Sequence, residues 1–200
     1  MNARLEAFSD GVFAIAATLL IIDIKLPSTG SIRTTDQLWL ALKDLFPGIF
    51  AFLLSFIIII ITWVNHHAVL NLVHKSSPPF IYANGLLLLS VVIIPFPTSL
   101  LGEFILTDHA APAVVLYSSV CAFQAIGWSL TGRTALNHSN PLSKNEKAAL
   151  AIRRAVRKSH YGLILYTACA ILAFWFPSII AIIVAASWIA WLIVGINIKE

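Results

Sequence analysis

Apolar residues in this chain come in long, nearly uninterrupted blocks, not in strand-like alternation. Reading the blocks between breakers predicts helices near residues 5–26, 46–66, 80–101, 112–132, 159–176 and 178–197. Each block has roughly the 17 to 25 residues an α-helix needs to cross a hydrocarbon core, whereas the strands of a barrel would alternate over about 10. Pro27-Ser28-Thr29-Gly30 closes the first block, Pro78-Pro79 precedes the third, and Phe176-Pro177-Ser178 makes a tight turn between the last two. The fifth block is short, and its helix is expected to begin earlier, in the cytosol. With no internal repeat, low-complexity tract or soluble segment in view, residues 1–200 are expected to form a single six-helix membrane domain.

Composition supports the same class. Hydrophobic residues make up 59% of the chain and charged residues only 11%, against about 25% charged in an average soluble domain. An all-α integral membrane protein is the expected fold class. The net charge of +4 falls in loops where topology alone would place it, so nucleic acid is not an expected partner. Cys121 and Cys169 fall within predicted spans without metal-ligand spacing and are read as small apolar packing residues. Asp10 interrupts what would be the apolar region of a signal peptide, and hydrophobic residues run on to Leu26, so the first block is expected to remain as a span.

Lysine and arginine set the orientation. With the N-terminus cytoplasmic, the inner side carries Arg4, Lys75, the seven cations from Arg133 to Lys158, and Lys199, ten in all, against Lys25, Arg33 and Lys43 outside. Both termini are therefore expected in the cytoplasm. The basic segment begins Ser143-Lys144-Asn145-Glu146, a capping-box pattern, and reads as a helix running into the fifth span. An orientation anchor is the favoured reading of its charge; anionic lipid binding is the other.

This topology gathers polar residues at one depth. Ser9 and Asp10 lie a turn or two inside the first span, Trp63 and His66 at the end of the second, and Asn84 at the start of the third. An ionisable group in a membrane helix costs roughly 2.5 to 3.5 kcal/mol on insertion scales, so these groups are expected to partner one another. Structural cement is favoured over a proton relay, because no chain of ionisable residues crosses to Glu103, Asp108 and His109 in the opposite loop. His66, His67 and His74 have no nearby carboxylate or cysteine to complete a zinc site, and neither G-x-S-x-G nor H-E-x-x-H occurs, so no metal and no enzymatic activity is expected.

At 100° per residue, Phe8, Gly11, Ile15, Thr18, Leu19 and Ile22 share one stripe of the first helix, and Asp10 lies about 140° around from Ile15. If Asp10 docks into the polar cluster, that stripe faces something else. It could pack on another apolar helix, the better expectation from periodicity alone, or line a pore whose aliphatic ring gates by dewetting. Composition leaves both open.

Arg4-x-x-x-Phe8-Ser9-Asp10 followed by Gly11-Val12-Phe13-Ala14-Ile15-Ala16-Ala17-Thr18-Leu19-Leu20-Ile21 resembles the signature of the transmembrane protein 175 family, the endolysosomal potassium channels and their prokaryotic relatives. Trp63-x-x-His66-His67, and Asn84 with Pro95-Phe96-Pro97, are similar to accompanying positions of that family. The likeness covers the first half of the chain; the second half matches by span count.

The resemblance implies a single-repeat prokaryotic member in the plasma membrane. It implies a homotetramer with the first helix of each subunit lining a central pore, permeable to potassium and other monovalent cations and working without a cofactor. On that resemblance Ile15 would form the constriction with Leu19 and Ile22 above it, and Thr18 would bear on potassium preference. Phe8, Ser9, Asp10, Trp63, His66 and Asn84 would form the polar network that fixes the first helix, and Arg4 would complete that network or its subunit contact. Nothing like Thr-Val-Gly-Tyr-Gly occurs, so selectivity from a carbonyl filter is not expected. A proton- or ion-coupled secondary transporter is the alternative; of the broken helices such transporters use, only Pro95 and Pro97 in the third span give a hint.

Overall fold

The computed structural model describes residues 3–22, 24–25, 30, 32–137 and 141–196, with side chains through 193. Eight helices follow in order: α1 (Ala3–Ile22), α2 (Thr35–Asp44), α3 (Phe46–Asn71), α4 (Pro78–Ile93), α5 (Pro95–Phe104), α6 (Ala110–Ala135), α7 (Glu146–Leu172) and α8 (Pro177–Ile196). Four stretches are long and apolar enough to cross a membrane: α1, α3, α4 with α5, and α6. Residues 26–29, at the expected end of the first block, and Lys199 lie outside the described residues.

Proline chemistry explains why one expected span is two helices. Pro95 has no N–H to give to the carbonyl of Val91, so the ladder breaks there and α5 restarts as a short second rod. Thr98 mends the break: its backbone N–H and its hydroxyl both donate to the carbonyl of Ile94, at 3.2 and 2.7 Å. The same hydroxyl lies 2.7 Å from Ser55 Oγ on α3, which lies 3.0 Å from Tyr117 Oη on α6. The kink is thereby tied to two neighbouring helices.

The basic segment does run as one helix into the fifth block, as its pattern predicts, but the cap is not Ser143. Asn145 takes that position, its Oδ1 accepting from the Ala148 N–H at 2.8 Å. Ser143 is instead held in a short antiparallel bridge to Val73, flanked by His74 N–H donating to Leu142 O and Lys144 N–H to Leu72 O. A two-residue shift of the cap follows because that bridge holds Ser143 outside the helix. The sequence reading also passed over α2, whose start Thr34-Thr35-Asp36-Gln37 forms a complete capping box.

α6 packs between α4 and α7, while α1 lies against α3 and α4. The main core joins Phe13 and Leu20 of α1 to Ile58, Ile59, Leu88, Val91, Val114, Tyr117, Tyr166 and Trp188, with the free thiols of Cys121 and Cys169 filling space in it. A smaller cluster, including Phe80, Ala135, Leu142 and Ile152, closes the end where α4, α6 and α7 meet. Contact between α4 and α6 is close: a Cβ at Gly127 of α6 would stand 2.8 Å from the Leu87 Cα of α4. Gly127→Ala is accordingly expected to push α4 from α6 at a cost of about 1–3 kcal/mol, read as a lowered melting temperature in detergent. An unchanged melting temperature would mean the two backbones separate freely.

Candidate functional site

Where α1 passes α3 and α4, the polar residues meet in two layers. Ser9 and Asp10 come from α1, Trp63 and His66 from α3, and Asn84 from the first turns of α4, which Ser77 caps by accepting from the Phe80 N–H. In the dry layer, Ser9, His66 and Asn84 are all buried, at 0%, 2% and 1% exposure. His66 Nε2–H donates to Asn84 Oδ1 at 2.6 Å, Asn84 Nδ2 to Ser9 Oγ at 3.2 Å, and Ser9 Oγ–H to the Leu5 carbonyl at 2.8 Å. Each donor thus has an acceptor, and the chain of bonds ends on a backbone carbonyl, as a buried network requires. The ring of Phe13 lies 5.3 Å from that of His66, shielding it from the apolar side.

The second layer is wetter. Trp63 Nε1–H donates to Asp10 Oδ1 at 2.8 Å, and one turn further toward the helix end His67 Nδ1 lies 3.1 Å from Glu6 Oε1. The pairs 10 with 63 and 6 with 67 step by four in opposite directions, the register of two antiparallel helices. Glu6 and His67 are the members that the sequence reading missed. The i, i+4 spacing of Glu6 and Asp10, matched by that of Trp63 and His67, was the available signal.

Arg4 and Phe8 are not brought into this cluster. Both are exposed, and Arg4 makes no hydrogen bond or ion pair among the described residues. The geometric reason is angular. Ser9, Phe13, Ala16 and Leu20 define the buried side of α1, and Arg4 and Phe8 sit on the other side with Ile15, Thr18, Leu19 and Ile22.

That other side is bare. Ile15 is 61% exposed and Ile22 72%, with Phe8 and Leu19 also open. Thr18 is exposed as well, its hydroxyl proton given to the Ile15 carbonyl at 2.9 Å, so its oxygen lone pairs face outward. Alongside this aliphatic strip runs a strip of small residues, Ala7, Gly11, Ala14 and Thr18, all exposed. Thus a single helix is bonded tightly on one face by hydrogen bonds and presents small and aliphatic side chains on the opposite one.

Fold and site together define a multi-pass α-helical membrane protein whose first helix is fixed by a polar lock and left unpartnered on its far face. The family model for the endosomal/lysosomal potassium channel TMEM175 matches residues 4–95. A crystal structure of a lysosomal potassium-selective channel TMEM175 homolog from Chamaesiphon minutus superposes with a TM-score of 0.80 at 33% identity, covering 94% of this chain and 96% of that one. The chain belongs to the TMEM175 family, whose members are ion channels and not enzymes.

Among curated relatives, a potassium channel of Chamaesiphon minutus is 45% identical over 119 residues, 60% of this chain and 58% of that protein. An endosomal/lysosomal proton channel TMEM175 of Gallus gallus is 34% identical over 127 residues, 61% of this chain and 25% of the longer relative. The matched stretch therefore spans little more than half of the bacterial relative and a quarter of the avian one.

Proposed function

We propose that this chain is the subunit of a homotetrameric, potassium-permeable cation channel in which α1 of four copies surrounds a central pore. In this reading Ile15 forms the constriction, Leu19 and Ile22 line the path beyond it, and Thr18 offers hydroxyl oxygens beside the ring. The observation that carries it is the two-sidedness of α1. A helix meant only to face lipid needs neither a bonded polar lock nor a strip of small residues on its open face. Small residues let helix backbones approach closely in a bilayer. The strip through Ala7, Gly11, Ala14 and Thr18 therefore suits contact between copies, leaving the adjoining aliphatic strip to face an axis. A closed ring is the expected arrangement of identical subunits around a pore, and an aliphatic ring can gate it by dewetting.

The proposed topology has six spans, α1, α3, α4 with α5, α6, α7 and α8, with both termini on the cytoplasmic side of a prokaryotic plasma membrane. The excess of lysine and arginine on that side supports it. Ions pass down their gradient without a cofactor.

Flux into proteoliposomes under separate potassium, sodium and proton gradients tests the reading. Electrogenic potassium flux that saturates weakly and needs no second ion is expected; obligatory coupling to protons or sodium would replace the channel with a transporter. The lock has its own consequence. Asp10→Ala should free Trp63 and loosen the seating of α1, lowering the yield of tetramer in size-exclusion chromatography with light scattering more than it alters ion preference. Normal assembly with altered proton dependence would instead assign Asp10 to proton relay.

A further inference from the structure

Seven cations lie between Arg133 and Lys158, and from Lys147 to Lys199 the chain has no aspartate or glutamate. In α7 the packed side is marked by the buried Ala148, Ile152, Gly162, Tyr166 and Cys169. At 100° per residue, Arg153, Arg154 and Arg157 project from the opposite side, and all three are exposed. Neither of the ion pairs among the described residues engages them. On the same side follow Tyr161, 62% exposed, and Ile164, 68% exposed. Cation, aromatic and aliphatic residues thus succeed one another within about 17 Å of helix. That is the order of headgroup, interface and hydrocarbon in one bilayer leaflet.

The face is held rigidly. Arg133 Nη2 donates to His160 Nε2 at 2.9 Å, with Ser129 Oγ 3.1 Å from the same nitrogen, fastening α6 to α7 beside Tyr161. Because these arginine side chains have no hydrogen-bond or ion-pair partner among the described residues, on a helix that is itself fixed, their guanidinium forks are available to the oxygens of a phosphodiester.

We infer that the exposed Arg153, Arg154 and Arg157 face of α7 is a docking surface for the headgroups of anionic phospholipids in the leaflet that α7 enters. A soluble polyanion would use the arginines but gain nothing from Tyr161 and Ile164; a phospholipid uses all five. Ion conduction is not assumed here, so the inference stands or falls apart from the proposed channel.

The full chain, purified in detergent, is equilibrated with mixed micelles of phosphatidylcholine and phosphatidylglycerol, and the lipid retained after gel filtration is quantified. Wild type should enrich phosphatidylglycerol, less so in high salt. Each cation near a charged surface contributes roughly fivefold, so Arg153→Gln/Arg154→Gln/Arg157→Gln should lower the enrichment at least about tenfold, while the triple lysine variant keeps part of it. Arg157→Gln alone, with a fall of about fivefold, serves if the triple variant does not fold. Protease protection of a C-terminal tag reads orientation in parallel. Undiminished enrichment in folded glutamine variants overturns the inference, as does an inverted orientation with enrichment intact, which makes the arginines an orientation anchor. Displacement of the lipid by millimolar glycerol phosphate, or by short RNA, would also overturn it in favour of a general anion surface.

Discussion

Ile15→Asn is expected to raise basal potassium flux at least about tenfold, a change that needs only about 1.4 kcal/mol off the barrier. In the proposed fourfold ring the substitution would act four times at one level. Each asparagine would replace a branched aliphatic surface that repels water with an amide that holds it, so the proposed dry constriction should wet and discrimination among monovalent cations should fall with it. Ile15→Trp should do the reverse, four indoles filling the same ring and bringing flux to the background of empty liposomes. Because the Ile15 side chain is 61% exposed in the subunit and is not part of the packed core, neither change should lower subunit stability. If both variants conduct like wild type, Ile15 is not at the constriction.

The second large effect falls on stability. Asn84→Ala should destabilise the protein by about 2 kcal/mol, since it strands the His66 Nε2–H, removes the donor to Ser9, and leaves a void in a dry site. For a chain of this size that is a fall of roughly 4–8 °C in melting temperature. The discriminating measurement is a cycle. Ser9→Ala alone should cost less, because Asn84 keeps its bond to His66, and the double variant should cost much less than the sum of the two. A strictly additive result would mean that Ser9 and Asn84 do not act through their 3.2 Å bond. Replacing His66 by phenylalanine together with Asn84 by leucine should recover most of the loss, because no polar group is then left unsatisfied.

Much of the site was legible along the chain, but not its wiring. The depth shared by Ser9, Asp10, Trp63, His66 and Asn84 follows from counting spans, and the angle between Asp10 and Ile15 follows from helix geometry. The pairing did not follow. Asp10 bonds to Trp63 while Ser9 takes Asn84, which in turn holds His66; the first two pairs span 53 and 75 residues along the chain, and only the rotation of α1 on its neighbours decides which acceptor meets which donor. Within one subunit Arg4 and Phe8 stand on the opposite side of the helix from Ser9.

What the sequence determined by itself was everything local. Long apolar blocks require membrane helices, proline at 95 requires a break, and 100° per residue separates the polar side of α1 from the Ile15 side, because each depends on covalent geometry or on transfer from water over one segment. Tertiary structure alone decided that Ser143 bridges to Val73 instead of capping α7 and that Glu6 meets His67. It also decided that the Ile15 face is the one left open. Those outcomes depend on competition among partners distant in the chain, where differences of one hydrogen bond or a fraction of a helical turn select the arrangement that leaves the fewest buried polar groups unpaired.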